Sequence, residues 1–229
     1  MKPTIFSIIL ALVCSASSAR ASSQLKVSCI GPENAPHSLI YLHGMDSLQP
    51  SNQELRNRAI LTDIANALNI RIALPRAFMA CPTQTNSICW GWSFNQSELQ
   101  NVLPLILQAR TKCFSGANDF GMIGFSNGGY LITQWYRNAM IPKMERTPSF
   151  LIASGSDTGV VPKTIQSLAM SPPLTLIIGN QDQYNRDPTS SFFNQLKALN
   201  AKVSRIEFDG GHQLDLTSSR AVLRSYLNH

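Results

Sequence analysis

The segment GFSNGG at residues 124–129 places a serine between glycines, directly after an apolar run and before an amphipathic one. In a G-x-S-x-G pattern the glycines let the backbone turn sharply from a strand into a helix and leave the serine hydroxyl exposed. A hydroxyl held in this way attacks carbonyl carbons once a base removes its proton. A glycine-rich turn without chemistry is the alternative interpretation, and the strand-turn-helix context favours the nucleophile. Ser126 is therefore the candidate nucleophile.

Histidine is the side chain best suited to activate a serine near neutral pH, and the chain contains four. His229 is the last residue, His37 lies in a Pro-containing loop before an apolar run, and His43 belongs to a separate motif. His212 lies between the last predicted strand and the last predicted helix, at the strand end where sites assemble in open α/β sheets. We predict that His212 is the general base, with His43 as the alternative.

A carboxylate must hold the imidazole in one tautomer and stabilise its charged form. Asp182 ends the segment IGNQD at residues 178–182, just past a predicted strand. Asp157 follows the preceding predicted strand and is the alternative acid. We predict that Asp182 orients the base.

Backbone donors are also needed for the negative oxygen that develops when a serine attacks a carbonyl group. The segment YLHGMD at residues 41–46 follows a predicted strand. We assign the backbone N–H of Met45 and that of Asn127, the residue after the nucleophile, to this oxyanion hole. His43 then has a structural role.

Apolar runs alternate with helix-length amphipathic stretches along the chain, as expected when parallel strands are joined by crossover helices. This pattern predicts an α/β fold with a mostly parallel central sheet and helices on both faces. The predicted strands are Leu25 to Ile30, Ser38 to Leu42, Arg71 to Leu74, Phe120 to Gly124, Phe150 to Ala153, Leu174 to Ile178 and Val203 to Phe208.

Five helices are predicted between these strands. They run from Gln53 to Leu68, Ser97 to Ala109, Asn127 to Asn138, Thr189 to Leu199 and Thr217 to Leu227. Ser97 and Thr217 are predicted N-caps, and Pro104 predicts a kink or a later start of the second helix.

The segment from Pro75 to Phe94 shows little periodicity and is predicted to be a long loop. It contains Trp90 and Trp92, which we predict to form an apolar wall of the substrate pocket, with simple packing in the interior as the alternative.

Residues 1–21 have the pattern of a secretory signal, with Lys2, an apolar run over residues 5–13 and the small-x-small site ARA at 19–21. The alternative, a membrane anchor, needs roughly 20 apolar residues, and this run is shorter. We expect cleavage after Ala21, a single α/β domain over residues 22–229, and a secreted or periplasmic protein without integral membrane association.

Four cysteines remain after such cleavage, an even number in a chain bound for an oxidising compartment. They permit three pairings into two disulfides, of which Cys81 with Cys89 is the most local and would leave Cys29 with Cys113. Neither a C-x-x-C pair nor an H-E-x-x-H helix is present, so no metal site is predicted. The formal charge of +6 is scattered along the chain, which excludes a nucleic-acid-binding stripe.

From about residue 36 onward the chain resembles the serine esterases of the α/β-hydrolase superfamily. The resemblance rests on LHG at 42–44, GFSNGG at 124–129, GNQD at 179–182 and GH at 211–212, and on the chain order serine, aspartate, histidine. The segment CWGW at 89–92 ahead of the elbow is similar to secreted polyhydroxybutyrate-depolymerase and feruloyl-esterase-like enzymes. The elbow and the LHG segment also resemble the small phospholipase/carboxylesterase group. The resemblance implies that the domain has the α/β-hydrolase fold.

These observations predict hydrolysis of carboxylic esters through an acyl-enzyme on Ser126, without a metal or organic cofactor. The expected partner is a small-molecule or polymeric ester. A peptidase or thioesterase with the same three residues, and a binding protein on a hydrolase scaffold that has lost turnover, are the alternatives. Acyl-chain length, the alcohol portion and oligomeric state are left open by the sequence.

Overall fold

The computed structural model describes residues 25–81, 84–91, 95–114, 119–141, 147–156, 168 and 170–228. The predicted export signal at residues 1–21, Trp92, the alternative acid Asp157 and His229 lie outside the described residues.

Seven strands form one sheet at the centre of the molecule, in the order β1-β4-β2-β7-β8-β9-β10. Every neighbouring pair in this sheet is parallel except β1 with β4. All seven predicted strands are therefore confirmed. In chain order the strands are β1 (Val27–Ile30), β2 (His37–Leu42), β3 (Asp46–Ser47), β4 (Ile70–Pro75), β5 (Met79–Cys81), β6 (Gln84–Cys89), β7 (Phe120–Phe125), β8 (Phe150–Ser154), β9 (Leu174–Gly179) and β10 (Val203–Phe208).

Five helices whose bounds lie within the described residues connect these strands, close to the predicted positions. They are α1 (Asn52–Leu68), α2 (Gln96–Cys113), α3 (Asn127–Arg137), α4 (Arg186–Ala198) and α5 (Leu216–Leu227). Two predicted N-caps were wrong, because the capping side chains are Asn95 rather than Ser97, and Asp215 rather than Thr217. The prediction of a later start at Pro104 was also wrong, since α2 begins at Gln96 and runs through the proline.

Helices cover both faces of the sheet, which explains why its central strands are apolar on both sides. Along β2, Ile40 and Leu42 pack into a core with α2, α3 and α4, whereas Leu39 and Tyr41 pack into a second core with α1 and α5. The alternation follows from the two-residue period of a strand.

The prediction of a long loop at residues 75–94 is corrected, because two strands, β5 and β6, lie within this segment. Within it, β5 and β6 pair antiparallel, and β6 also pairs with β3 to form a small second sheet. β3 and β5, with two and three residues, are too short for a period of two to be recognised in the sequence, and β6 has four polar residues in a row followed by two apolar ones instead of an alternation. This small sheet lies directly beside the loop that follows β2.

Two disulfides are present, in the pairing that the sequence favoured. Cys29 of β1 bonds to Cys113 at the end of α2, and Cys81 of β5 bonds to Cys89 of β6. In the described part of the chain no helix is long and apolar enough to cross a bilayer.

Candidate active site

Ser126 is the single residue between β7 and α3. Its backbone has φ 50° and ψ −117°, a left-handed conformation that non-glycine residues seldom adopt. Hydrogen bonds hold it there, because its N–H donates to the carbonyl oxygen of Ser154 at 2.7 Å and its own carbonyl accepts from the N–H of Tyr130 at 2.8 Å. A strained backbone conformation of this kind persists only where surrounding contacts enforce it, and such conformations are most frequent at functional sites.

Glycines on both sides of Ser126 are required by close packing. A Cβ atom on Gly124 would lie 2.4 Å from the carbonyl oxygen of Gly128, and one on Gly128 would lie 2.1 Å from that of Leu42. Backbone atoms cannot yield at these distances. The glycines of the predicted elbow are therefore explained by the close approach of α3 to β7 and to the end of β2.

Asp182 and His212 meet beyond the ends of the neighbouring strands β9 and β10. The Oδ2 atom of Asp182 is 2.7 Å from Nδ1 of His212. Asp182 is buried, whereas the imidazole side chain is 36% exposed. The parallel pairing of the two strands sets Phe208 opposite Gly179, so both loops leave the sheet at the same level.

Hydrogen bonds determine the charge on Asp182. Burial alone would raise the pKa of its carboxyl group, but the bonds from His212 and Asn185 outweigh burial, and the pKa is lowered below its ordinary value. The backbone N–H groups of Tyr184 and Asn185 also donate to Oδ1 at 3.3 and 3.1 Å. Asp182 is thus an ionised acceptor beside the imidazole.

The imidazole of His212 lies against the ring of Phe125, the residue before Ser126, with 4.9 Å between ring centroids. Among the described residues no hydrogen bond joins Ser126 Oγ to His212. The structure therefore brings Asp182 and His212 into direct contact. Ser126 directly follows Phe125, whose ring contacts the imidazole. Catalytic hydrogen bonds are often long before substrate is bound.

The loop after β2 packs directly on Ser126. A Cβ atom on Gly44 would lie 3.0 Å from the Cβ of Ser126, so the chain leading to Met45 passes beside the hydroxyl. Met45 itself is 38% exposed. Asn127 is the first residue of α3, where a backbone N–H has no carbonyl partner within its own helix. Asn127 therefore directly follows the candidate nucleophile in the chain, and Met45 directly follows a glycine that packs against it.

His43 is buried, and both of its ring nitrogens are in contact with backbone groups. Its Nε2 accepts the N–H of Ala77 at 2.9 Å, and its Nδ1 lies 2.6 Å from the carbonyl oxygen of Gly44. These contacts require the neutral tautomer with the proton on Nδ1, and burial lowers the pKa of His43 to about 4. The alternative of His43 as catalytic base conflicts with this geometry, and its structural role agrees with it.

Trp90 is buried beneath the loop after β2 and does not line an open pocket. Its side chain is only 1% exposed, and its indole N–H donates to the carbonyl oxygen of His43 at 2.9 Å. A wall of an open substrate pocket would be accessible to solvent in the free protein, so the pocket prediction for Trp90 is corrected.

The side chains of Asn127, Asn185 and Tyr130 form contacts around this site that sequence reasoning did not anticipate. The side chain of Asn127 accepts the N–H of Trp90 at 2.8 Å and donates to the carbonyl oxygen of Gly91 at 3.0 Å, which fixes the segment after β6 to the elbow. Asn185 contacts both Asp182 and His212, and Tyr130 donates its hydroxyl hydrogen to Asn185. The only local signal is spacing, since Asn185 follows Asp182 by three residues and Tyr130 follows Ser126 by four.

Within the described residues no three side chains of His, Cys, Asp or Glu are grouped as metal ligands. No protein-family model matches this chain. No curated protein sequence matches it either.

Solved structures do match. Acyl-protein thioesterase 2 from Zea mays has a TM-score of 0.66 at 16% identity, over 88% of this chain and 99% of that one. A carboxylesterase from Mesorhizobium loti has a TM-score of 0.65 at 15% identity, over 91% and 96%. Esterase PE8 has a TM-score of 0.64 at 16% identity, over 89% and 99%. Together with the sheet order and the strand-turn-helix elbow, these similarities show that the chain has the α/β-hydrolase fold.

Proposed function

We propose that this protein is a serine hydrolase that cleaves carboxylic esters, with Ser126 as nucleophile, His212 as general base and Asp182 orienting that base. The proposal rests on the arrangement of these three residues at one edge of the sheet. Ser126 is held at positive φ on the turn into α3, and Asp182 lies 2.7 Å from the imidazole of His212.

The tautomer of His212 supports this assignment. Ionised Asp182 can only accept a hydrogen bond, so the imidazole proton resides on Nδ1 and the lone pair is on Nε2. A base in this form takes the proton of the serine hydroxyl and is stabilised by the carboxylate once it becomes charged.

In the proposed reaction, Ser126 Oγ bonds to the ester carbonyl carbon while its proton passes to Nε2 of His212. The carbonyl oxygen becomes an oxyanion that accepts hydrogen bonds from the N–H groups of Met45 and Asn127. Collapse breaks the bond to the alcohol oxygen, which takes the proton from His212. Water then attacks the acyl-enzyme with His212 again as base, and collapse releases the carboxylic acid and restores the serine. No metal or organic cofactor takes part.

The similar structures include carboxylesterases and an acyl-protein thioesterase, which supports a small-molecule or polymeric ester as substrate. Thioester cleavage is the second candidate, because the same three residues serve several acyl transfers and the fold does not choose among them. Matched p-nitrophenyl esters, acyl thioesters and aminoacyl amides, compared by kcat/KM, separate ester, thioester and peptide hydrolysis.

We further propose that the chain is exported and acts in an oxidising compartment. The apolar segment at residues 5–13 and the two disulfides support this proposal. Intact mass of the protein from its native host tests it. A mature chain that begins at Ser22 and carries no free thiol is expected, whereas a chain that retains residues 1–21 and reduced cysteines would contradict export.

Reaction with a fluorophosphonate probe tests the nucleophile. Probe attached to Ser126 in the folded protein is expected, and Ser126→Ala should lose the label and about 10⁴- to 10⁶-fold of the esterase rate. Ser191→Ala, which removes an exposed serine hydroxyl of α4, is the matched control and should keep both. Full activity in Ser126→Ala would refute the proposal, and a folded wild-type protein without labelling or turnover would favour a binding role.

A further inference from the structure

Asn185 occupies a central place beside the acid and the base. Its side chain is 3% exposed. The Nδ2 atom lies 3.0 Å from both carboxylate oxygens of Asp182 and 3.0 Å from Nδ1 of His212. A buried amide in contact with both members of a hydrogen-bonded pair constrains the position of each.

The orientation of this amide follows from Tyr130. The tyrosine hydroxyl donates to Oδ1 of Asn185, so the amide oxygen points toward α3 and the NH₂ group points toward Asp182. The imidazole already carries a proton on Nδ1 for Asp182, so the hydrogens of Nδ2 are given to the carboxylate and not to the ring. Asn185 thereby occupies the carboxylate lone pairs that His212 does not use.

These contacts connect the candidate nucleophile to the acid through side chains. The backbone N–H of Tyr130 donates to the carbonyl oxygen of Ser126 at 2.8 Å, one turn into α3. From there the contacts continue through Asn185 to Asp182 and His212. Tyr130 and Asn185 are 55 residues apart in the chain, so this connection joins the elbow to the loop after β9.

We propose that Asn185 is a positioning residue that, together with Tyr130, holds the Asp182–His212 pair in register with the helix that follows Ser126. This inference rests on the proposed function, because it assigns Asn185 to the acid-base pair of that reaction. The residue acts through Asp182 and His212 and has no contact of its own with the reacting atoms.

A neutral residue is required at this place. Asp182 from the β9 loop is the carboxylate that contacts the imidazole, and β7 presents the uncharged ring of Phe125. From α3, the titratable hydroxyl of Tyr130 faces Asn185. In the loop of His212 itself, Asp209 accepts a hydrogen bond from Gln181 and Asp215 caps α5. A second carboxylate at position 185 would stabilise the imidazolium, so that a higher pH would be needed to free the base.

Asn185→Asp tests this requirement with almost no change of shape. The acidic limb of its kcat/KM profile is expected to move by about one pH unit or more to higher pH, and rates on the alkaline side should also fall, because a carboxylate at position 185 cannot donate hydrogen bonds to Asp182. Asn180→Asp is the matched control. It adds the same charge to the same loop, where the Asn180 side chain accepts a hydrogen bond from the N–H of Gly210 at 3.3 Å. Its profile should coincide with that of the wild type within about 0.3 pH unit. Coinciding profiles for Asn185→Asp and wild type would overturn the proposal.

Nuclear magnetic resonance separates this inference from the proposed function. The imidazole signals of His212 are followed against pH in the wild type, Asn185→Asp and Asn180→Asp. A midpoint that moves upward in Asn185→Asp alone supports the positioning role even if the wild type shows no esterase activity, which would refute only the reaction. Equal midpoints in all three proteins would overturn the positioning role while leaving any esterase activity intact.

Tyr130→Phe provides a second variant in case Asn185→Asp does not fold. It removes the hydroxyl hydrogen bond to Asn185. We expect kcat to fall by about 3- to 10-fold with KM unchanged, since transition-state positioning is lost and substrate binding is not. An unchanged kcat, or a change confined to KM, would contradict the proposal.

Discussion

Two carboxylates are buried to nearly the same extent in this protein, and they differ in what surrounds them. Asp182 is 4% exposed and Glu54 is 3% exposed. Asp182 accepts hydrogen bonds from His212 and Asn185, and its pKa is lowered despite burial. Glu54 accepts hydrogen bonds from Tyr41 and Arg58, yet burial outweighs them and raises its pKa.

The difference lies in where each carboxylate sits. Glu54 belongs to the first turn of α1 and is covered on the sheet side by Tyr41, whose hydroxyl also accepts the side-chain N–H of Asn57 at 3.0 Å. Asp182 lies past the end of β9 and contacts an imidazole that is open to solvent. Burial of a carboxylate therefore does not by itself mark a catalytic site. Asp182 differs from Glu54 in that its partner is a solvent-accessible imidazole, at the edge of the sheet where the candidate nucleophile Ser126 lies.

Substitution of Asp182 should produce the largest effect. In Asp182→Asn the side chain no longer enforces the tautomer of His212, and kcat/KM should fall by about 10⁴-fold. The matched variant Glu54→Gln should stay within about threefold of the wild type, because Glu54 does not contact the base. Steady-state ester hydrolysis by both variants checks this. Equal losses in the two proteins would remove the functional distinction between the carboxylates.

Truncation of Glu54 should act on stability. Glu54→Ala leaves the Tyr41 hydroxyl and the Arg58 guanidinium without their acceptor, and the free energy of unfolding should fall by about 2–4 kcal/mol. Urea denaturation followed by circular dichroism measures it, and activity per folded molecule serves as the control. A stable but inactive Glu54→Ala protein would place this cluster in the catalytic machinery and contradict the comparison.

Removal of the Tyr41 hydroxyl should have a smaller effect of the same kind. Tyr41→Phe preserves the packing of the ring in the core beneath α1 but deletes a donor to Glu54 and an acceptor for Asn57. We expect a loss of about 1–2 kcal/mol in unfolding free energy without a change in kcat/KM. Denaturant titration checks the stability and ester hydrolysis the activity. A loss of activity larger than the loss of folded protein would be inconsistent with a structural role.

The pH dependence of stability should be the smallest effect and should have opposite signs in the two clusters. The lowered pKa of Asp182 contributes stability that is present above the unfolded value near 3.8 and is lost as pH falls through the folded pKa. The raised pKa of Glu54 contributes stability that is complete below the unfolded value near 4.5 and is lost as pH rises through the folded pKa.

Unfolding free energies of Asp182→Asn and Glu54→Gln relative to the wild type, measured against pH, test these signs. As pH rises, the Asp182 variant should become less stable relative to the wild type, and the Glu54 variant should become more stable relative to it. Parallel curves for the two variants would show that the carboxylates titrate alike.

The parts of the site that lie next to one another in the chain could be predicted from the sequence. Ser126 is recognisable because the flanking glycines, the apolar strand and the helix are adjacent in the chain. Asp182 and His212 are recognisable because each follows a strand, and parallel strands end at one edge of the sheet. The small sheet was not predicted because β3 and β5 are too short for their period to be recognised and β6 lacks an alternation of polar and apolar residues.

Contacts between distant segments could not be predicted in this way. Tyr130 with Asn185, Trp90 with His43, and Tyr41 with Glu54 join different elements of the fold, and nothing in the local pattern of either partner indicates the other. Trp90 illustrates the consequence, since composition placed it at a pocket and the structure buries it under the loop after β2.

Hydrophobic period and turn chemistry act over a few neighbouring residues, so the strands of the central sheet, the five described helices and the three candidate catalytic residues could be identified from local sequence. The folded chain was needed to show which buried carboxylate contacts the accessible imidazole, which histidine is held neutral in the interior, and which amide contacts both Asp182 and His212. Those outcomes depend on the solvation and hydrogen-bond partners that distant segments supply when the chain folds.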